Sequence, residues 1–129
     1  MTLLLDTHIW LWSLQASEKL GNRVRRELRS PDNQLWLSPI STWEALTLHA
    51  KGRIHLAGNL GEWVARATAP FREALLTHEI ALAARQVQLP HQDPADRFLA
   101  ATALVLGLTL VTGDNNLLGL GEIATLANR

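Results

Sequence analysis

Short runs of large aliphatic residues alternate with longer helical patterns along this chain, and that alternation limits the fold more than any other feature. The runs predict strands at residues 3–5, 34–37, 74–77 and 108–111, with a fifth at 123–126. Strands that alternate with helices favour an α/β fold with a mostly parallel sheet of four to five strands. Right-handed crossovers would place helices on both faces of that sheet.

Six helical segments separate the predicted strands, and turn-forming residues delimit several of them. We predict helices over residues 8–14, 18–28, 39–50, 60–69, 79–87 and 94–106. The second ends before the turn Ser30-Pro31-Asp32-Asn33, and Gly107 closes the last. Because no repeat, low-complexity tract or linker interrupts the pattern, we expect residues 1–129 to form a single domain.

The composition excludes several classes of protein. Lys and Arg together number 12, as do Asp and Glu, so bulk positive charge cannot hold this chain on nucleic acid. The absence of cysteine excludes disulfide scaffolds, cysteine-ligated zinc and thiol nucleophiles. Residues 2–5 lack a basic region before Asp6, and the longest uncharged stretch, residues 98–113, is too short to span a membrane. We therefore expect a soluble cytoplasmic domain.

Four carboxylates from distant parts of the chain occupy equivalent places in the predicted topology. Asp6 closes the first strand, Glu44 lies in the helix that leaves the second, and Asp114 follows the fourth. Asp96 lies in the first turn of the helix that feeds the fourth strand. Carboxyl ends of parallel strands and the starts of neighbouring helices share one edge of the sheet, where such folds bind ligands. We expect these four side chains to converge there.

Each acid also has a purely structural interpretation. Asp93 before Pro94 is typical of a helix N-cap, and Asp96 would then stand at a position that the helix dipole favours. Glu44 completes a capping box if its helix begins at Ser41, but has no capping role if the helix begins at Ser38. Asp114 is compatible with a plain turn. Asp6, at the end of an apolar strand, is the hardest to explain structurally.

A cluster of carboxylates suggests a hard divalent cation. Neighbouring carboxylates repel one another and raise each other's pKa values, and Mg²⁺ or Mn²⁺, which prefer oxygen ligands, would relieve that repulsion. Such a site suits phosphodiester hydrolysis. Zinc is disfavoured because no two histidines have the spacing of paired zinc ligands, and only His8 is expected near this edge of the sheet. The five histidines are His8, His49, His55, His78 and His91.

Four ordered motifs resemble the PIN domain, and more narrowly the VapC-type toxins of bacterial toxin–antitoxin pairs. They are LLDTH at 4–8, SPISTWE at 38–44, HQDPADRFLAATA at 91–103 and LVTGD at 110–114, and together they cover essentially the whole chain. The resemblance implies a PIN-like three-layer sandwich. It also implies an endoribonuclease that depends on Mg²⁺ (or Mn²⁺), is neutralised by a cognate antitoxin and forms a homodimer.

Carried over motif by motif, the resemblance assigns roles to individual residues. Asp6 and Asp96 would be the main metal ligands, Glu44 would join them and help to activate the attacking water, and Asp114 would complete the acidic set. Four further positions match residues that orient the acids or contact the substrate: Thr7, His8, Arg97 and Thr112. The chain departs from many relatives in having His8 where they have a small polar residue and Gly113 where they have a basic one.

Basic residues concentrate in the second predicted helix. Lys19, Arg23 and Arg26 share one face of that helix by spacing, and Arg25 and Arg29 add to the local excess of positive charge. A solvent-facing helix surface and a surface that steers the RNA backbone both fit this pattern.

Five tryptophans and no tyrosine make an unusual aromatic balance. Trp10 and Trp12 are two apart on a helix, so they face different directions and we do not expect both to be fully buried. An exposed indole there would suit a groove for the antitoxin or for a second copy of the chain. We expect Trp43 and Trp63 to lie in the core.

Three classes of protein are alternatives to an active nuclease. A haloacid-dehalogenase-like phosphatase needs a second aspartate where His8 stands, and a phospho-receiver needs a lysine at the end of a late strand, whereas the only lysines are Lys19 and Lys51. The third alternative is a catalytically inactive PIN-like module that binds RNA or protein. The presence of all four acids argues against it.

Overall fold

Five parallel strands form one sheet in the order β3-β2-β1-β4-β5 in the computed structural model, which describes residues 1–129. Every neighbouring pair of strands runs in parallel, so the predicted α/β fold is confirmed. β1 lies at the centre, and its hydrogen-bonded neighbours are β2 and β4. The strands are β1 (Thr2–Leu5), β2 (Gln34–Leu37), β3 (Arg72–Glu73), β4 (Thr109–Thr112) and β5 (Thr125–Ala127).

Seven α-helices and one short 3₁₀ helix connect the strands. None of them is long and apolar enough to cross a membrane. The predicted bounds of α3 and α6 agree with the structure. The helices are α1 (Thr7–Gln15), α2 (Asn22–Arg29), α3 (Pro39–Ala50), α4 (Leu60–Thr68), α5 (His78–Gln86), α6 (Pro94–Leu106) and α7 (Asn115–Leu118).

The predicted continuous helix over residues 18–28 is wrong. A 3₁₀ turn at Ser17–Lys19 is followed by extended backbone at Leu20, and α2 begins only after Gly21. Gly21 packs directly against the chain's C-terminus, where an added Cβ would lie 1.8 Å from the carbonyl oxygen of Arg129. Its N–H donates to Oδ1 of Asn128 instead of continuing a helix. The tertiary contact with the chain's last residues therefore interrupts the helical pattern.

The third strand also differs from its prediction. Pairing with β2 involves the charged residues Arg72 and Glu73 rather than the apolar run at 74–77. Ala74 is buried, but Leu75 and Leu76 are exposed in the segment that leads into α5. A two-residue edge strand needs little apolar surface. The prediction from the apolar run therefore began two residues after the observed start of β3. The short helix α7, which was not among the predicted helices, is a single turn capped by Asp114.

Successive residues of β1 serve opposite faces of the sheet, which creates two separate cores. Leu3 and Leu5 pack with Trp10, Val24 and other residues of α1, α2 and α4. Leu4 packs on the other face with residues of α6 and α7. α5 covers the outer side of α6. These three layers hold the central strands so that their carboxyl ends open at one edge.

The tryptophans divide between the core and the surface. Trp10 is fully buried, contacts Trp63 at a ring distance of 5.4 Å, and donates from Nε1 to the carbonyl of Ala67. Trp63 is buried as predicted, and Trp12 is partly exposed. The prediction that Trp43 lies in the core is wrong, because its side chain is 60% exposed. Ser41 and Ala45 form the buried side of α3, and Trp43 is two residues from each of them. Because residues two apart on a helix face different directions, Trp43 points away from the core.

Candidate active site

A cleft of about 490 Å³ opens at the carboxyl edge of the central strands. It is bounded by the end of β1, the residues that follow β4, the second turn of α3 and the first turn of α6. All four predicted acids lie in its wall. The lining residues are Asp6, His8, Ile9, Trp12, Glu44, Asp93, Asp96, Gly113, Asp114 and Asn128.

Asp6 is the most deeply buried acid of the cleft. It ends β1 and caps α1, accepting a hydrogen bond at Oδ1 from the N–H of His8. Thr112, at the end of the neighbouring β4, donates to its Oδ2 over 2.6 Å. Burial raises the pKa of Asp6 above its ordinary value, and the bond from Thr112 acts in the opposite direction. Both carboxylate oxygens of Asp6 are therefore held in place.

Thr112 also connects Asp6 to Asp114. Its hydroxyl, which donates to Asp6, accepts the N–H of Asp114 at 3.0 Å. Asp114 caps α7, with its Oδ1 accepting from the N–H of Asn116 at 2.8 Å. One buried hydroxyl thus sets the spacing of two acids that come from opposite ends of the sequence.

Asp96 enters the cleft from the first turn of α6. Asp93 caps that helix by accepting from the N–H groups of Ala95 and Asp96, as its position before Pro94 predicts. The Asp96 carboxylate accepts no hydrogen bond from the chain. Burial raises its pKa to about 7, and the negative charges of Asp93, Asp6, Asp114 and Glu44 act in the same direction.

Glu44 reaches the cleft from the second turn of α3. Ser38 caps that helix through a bond from the N–H of Ile40, so Glu44 has no capping role. The buried hydroxyl of Thr7 donates to Oγ of Ser41 at 2.9 Å, which ties this part of α3 to the start of α1. Thr7 does not itself line the cleft. The Glu44 carboxylate makes no hydrogen bond within the chain and is free to bind.

His91 is a member of this group that sequence reasoning missed. Its Nε2 lies 3.5 Å from Oδ2 of Asp96. His91, Asp96 and Asp114 each offer a ligand atom, and these atoms all lie within 4.8 Å of one another. The expectation that only His8 lies near this edge is therefore wrong. The sequence feature that could have indicated this is the position of His91 just before α6. That position places its ring beside Asp96 in the first turn of the helix.

The donor set fits a hard divalent cation. Five carboxylates line one cleft, no lysine or arginine lies within ion-pair distance of them, and the carboxylates of Asp96 and Glu44 accept no hydrogen bond from the chain. Carboxylate oxygens are the ligands that Mg²⁺ and Mn²⁺ prefer. Burial is the main cause of the raised pKa values of Asp6 and Asp96, and the negative charges of neighbouring acids act in the same direction.

Arg97 does not join the acids, although the resemblance placed it with the substrate-contacting residues. Its guanidinium is buried and donates to four backbone carbonyls, those of Ala84, Arg85, Val87 and His91. The geometry of helical side chains explains this, since neighbouring residues on a helix point about 100° apart. Arg97 therefore points toward α5 while Asp96 points into the cleft.

His8 lines the cleft, with its ring exposed and tilted against Trp12 at a ring distance of 5.8 Å. Lys19 lies on the same indole, with Nζ 5.6 Å from the ring centre. Two aromatic rings and a cation thus form one wall beside the acids. This wall is a suitable surface for a nucleic-acid base or backbone.

Comparison with known proteins agrees with this fold. The family model of the PIN domain matches residues 3–123, so the chain belongs to the PIN domain family. Within that family it is a homologue of Ribonuclease VapC22 from Mycobacterium tuberculosis (strain ATCC 25618 / H37Rv). The two are 33% identical over 119 residues, which span 90% of this chain and 89% of the relative.

Solved structures show the same fold at lower sequence identity. VapBC2 from Rickettsia felis, bound to a DNA fragment from its promoter, matches with a TM-score of 0.74 and 13% identity over 100% of both chains. A toxin–antitoxin complex from Klebsiella pneumoniae matches with a TM-score of 0.64 and 19% identity, over 97% of this chain and 96% of the other.

Proposed function

We propose that this chain is a metal-dependent endoribonuclease, the toxin of a VapBC-type pair, and that the acids of the cleft form its active site. The observation that carries the proposal is the convergence of Asp6, Glu44, Asp96 and Asp114 from separate segments into one cleft without a lysine or arginine at ion-pair distance. Kinship to a protein named a ribonuclease supports RNA as the substrate.

Asp6, Asp96 and Asp114 would hold Mg²⁺ or Mn²⁺, with Glu44 joining directly or through water. The bound cation would polarise a phosphodiester group and acidify a water molecule. Glu44, with no hydrogen bond inside the chain, is free to orient a water and accept its proton at a carboxylate oxygen. Thr112 fixes the positions of Asp6 and Asp114 relative to each other, and Thr7 holds α3 against α1. His8 and Trp12 offer contacts to the substrate.

An antitoxin and a second copy of the chain are the proposed protein partners. The Klebsiella relative is a toxin–antitoxin complex, which supports a small protein inhibitor here. α1 presents the exposed Leu14 and the partly exposed Trp12, which suit an apolar segment of such an inhibitor. With RNA as substrate, we infer the cytoplasm as the place of action.

A cleavage assay on the purified chain without partners tests the proposal. It uses structured and single-stranded RNA with Mg²⁺, Mn²⁺ or EDTA, and compares the wild type with Asp6→Ala and Asp96→Asn. We expect cleavage that needs metal and falls at least about 100-fold in both variants, because each removes a metal ligand.

Asp32→Asn is the matched control, since Asp32 is exposed in a turn far from the cleft along the chain. It removes the same charge and should cleave like the wild type. Full activity of Asp96→Asn would contradict the site assignment. Absence of both cleavage and metal binding, the latter measured by calorimetry, would favour the inactive binding module.

A further inference from the structure

We propose that His91 is a positioning residue of the cleft, which holds the Asp96 carboxylate for the cation through Nε2–H, and that Arg97 fixes His91 in that place. The inference deepens the proposed function and rests on it, since it assigns a role at the same metal site. His91 is the first residue of the third motif, HQDPADRFLAATA, and the resemblance assigned it no role.

The first observation is the anchoring of the turn that carries His91. Arg97 donates from Nη1 to the carbonyl of His91 at 3.1 Å, and from Nε and Nη2 to the carbonyls of Ala84, Arg85 and Val87. Two of these are carbonyls in the last turn of α5, which would otherwise lack donors. A buried guanidinium at a helix C-terminus is also favoured by the helix dipole. Arg97 therefore joins α5, the turn and α6 into one rigid unit.

The second observation concerns the tautomer of the His91 ring. The backbone N–H of Asp93 donates to Nδ1 of His91 at 3.2 Å. A nitrogen that accepts an N–H has no proton of its own, so the neutral ring carries its proton on Nε2. Nε2 is the atom that faces Oδ2 of Asp96. The turn thus presents a donor, not a lone pair, to the carboxylate.

This tautomer separates two roles that proximity alone does not distinguish. A histidine that binds a metal through Nε2 normally donates its other ring N–H to a neighbouring acceptor. Here Nδ1 meets a donor, so binding through Nε2 would break the contact with the N–H of Asp93. His91 is therefore arranged to orient a ligand rather than to be one. The 3.5 Å distance from Nε2 of His91 to Oδ2 of Asp96 is long for a hydrogen bond, and it can shorten when the carboxylate binds a cation.

Two measurements test the role of His91. Long-range ¹H–¹⁵N NMR of the wild-type protein reports the tautomer directly, and we expect Nε2–H both without metal and with Mg²⁺ added. Calorimetry with Mn²⁺ compares the wild type with His91→Ala and His91→Gln. We expect alanine to weaken Mn²⁺ affinity about 10- to 100-fold, the usual effect of removing a residue that orients a metal ligand. Glutamine, whose amide can replace the Nε2 donor, should stay within about 3-fold.

Arg97→Lys tests the second part of the proposal, because lysine can supply at most three of the four bonds. We expect it to weaken Mn²⁺ affinity in the wild-type background and to have little further effect in His91→Ala. Independent, additive losses would overturn the claim that Arg97 acts through His91. Thermal unfolding in EDTA checks that each variant is folded, and the NMR result does not depend on any variant.

The outcomes distinguish this proposal from the function on which it rests. Wild-type affinity in His91→Ala would overturn the positioning role while leaving the metal site intact. An Nδ1–H tautomer, with loss of affinity in both His91→Ala and His91→Gln, would make His91 a metal ligand and overturn it as well. No Mn²⁺ binding by the wild type would overturn both the proposal and the metal-dependent function.

Discussion

Asp93 and Asp96 belong to the same turn of α6 but differ in what surrounds their carboxyl groups. Asp93 accepts two backbone N–H groups as a helix cap, whereas Asp96 accepts none and is partly buried among other acids. Backbone N–H donors stabilise a carboxylate, and burial among like charges destabilises it. The two aspartates therefore have different capacities, one to hold the helix and the other to bind a cation.

The raised pKa of Asp96 predicts how stability depends on pH when metal is absent. The unfolded carboxyl has a pKa of 3.8 and the folded one about 7, so the folded protein binds more protons between these values. Stability from this group is complete below pH 3.8, falls as the pH rises, and is lost above about 7. The buried Asp6, whose pKa is also raised, acts in the same direction.

Urea unfolding in EDTA at pH 5 and pH 8 measures this effect. We expect the wild type to lose more stability than Asp96→Asn between the two values, because asparagine cannot titrate. Adding Mn²⁺ at pH 8 should restore the wild type and not the variant. Glu79→Gln, an exposed carboxylate of α5, serves as the control and should follow the wild type. Equal losses in the wild type and Asp96→Asn would contradict the prediction.

At the scale of elements, α2 differs most from its sequence prediction. The break at Gly21 removes Lys19 from the helix, so Lys19, Arg23 and Arg26 do not form the continuous face that spacing suggested. Lys19 instead lies on Trp12 at the cleft wall. A separate pocket of about 450 Å³ is lined by four residues of α2, which are Asn22, Arg25, Arg26 and Arg29. None of the three arginines has a carboxylate at ion-pair distance.

Unneutralised guanidinium groups at this surface predict contacts with RNA phosphates. In an Asp96→Asn background, which prevents cleavage, we expect Arg25→Gln with Arg29→Gln to weaken RNA binding. The dependence of log affinity on log salt should become shallower by about 1.4, the value for two lost contacts to a single strand. Fluorescence anisotropy at several salt concentrations measures both changes.

The control for α2 removes the same charge elsewhere. Arg53→Gln with Arg66→Gln changes two exposed arginines outside α2 and should leave the salt dependence unaltered. Equal weakening by both pairs would show that net charge is responsible. No effect from either pair would support the interpretation of α2 as a solvent-facing surface.

At the scale of the whole molecule, exposed leucines gather around the outer helices. Leu82 of α5 is 61% exposed, and Leu75, Leu76, Leu104 and Leu106 are exposed in α6 and in the segment before α5. Single exposed leucines are common, but a set of them on neighbouring elements suits contact with another protein. This distribution supports the proposed homodimer.

Leu82→Glu tests that assignment by placing a charge among these leucines. We expect the wild type to sediment at twice the 14.3 kDa mass of the chain and the variant to shift toward the monomer. Leu14→Glu, on the exposed side of α1, is the matched control and should remain dimeric. A wild type that is monomeric over the concentration range, or a Leu82→Glu variant that stays dimeric, would contradict the prediction.

Local patterns predicted most of the elements and the convergence of four acids. Helix caps were visible at Ser38 and Asp93, because a cap is a contact between residues two or three apart. Asp6 and Asp114 could be assigned to one edge because parallel strands align their carboxyl ends whatever their order in the sheet. The exact ends of β3 and the break before α2 could not be predicted, since each depends on a partner segment distant in the chain.

The sequence by itself determined the α/β class, the parallel sheet and the edge at which the acids meet, because hydrophobic periodicity and topology specify these without side-chain detail. Only the tertiary structure decided which side chains complete the cleft. In the structure Arg97 binds backbone carbonyls outside the cleft, His91 lies beside Asp96, and Trp43 is exposed. These outcomes depend on the direction of each side chain and on packing between distant segments, which the order of residues along one strand or helix does not contain.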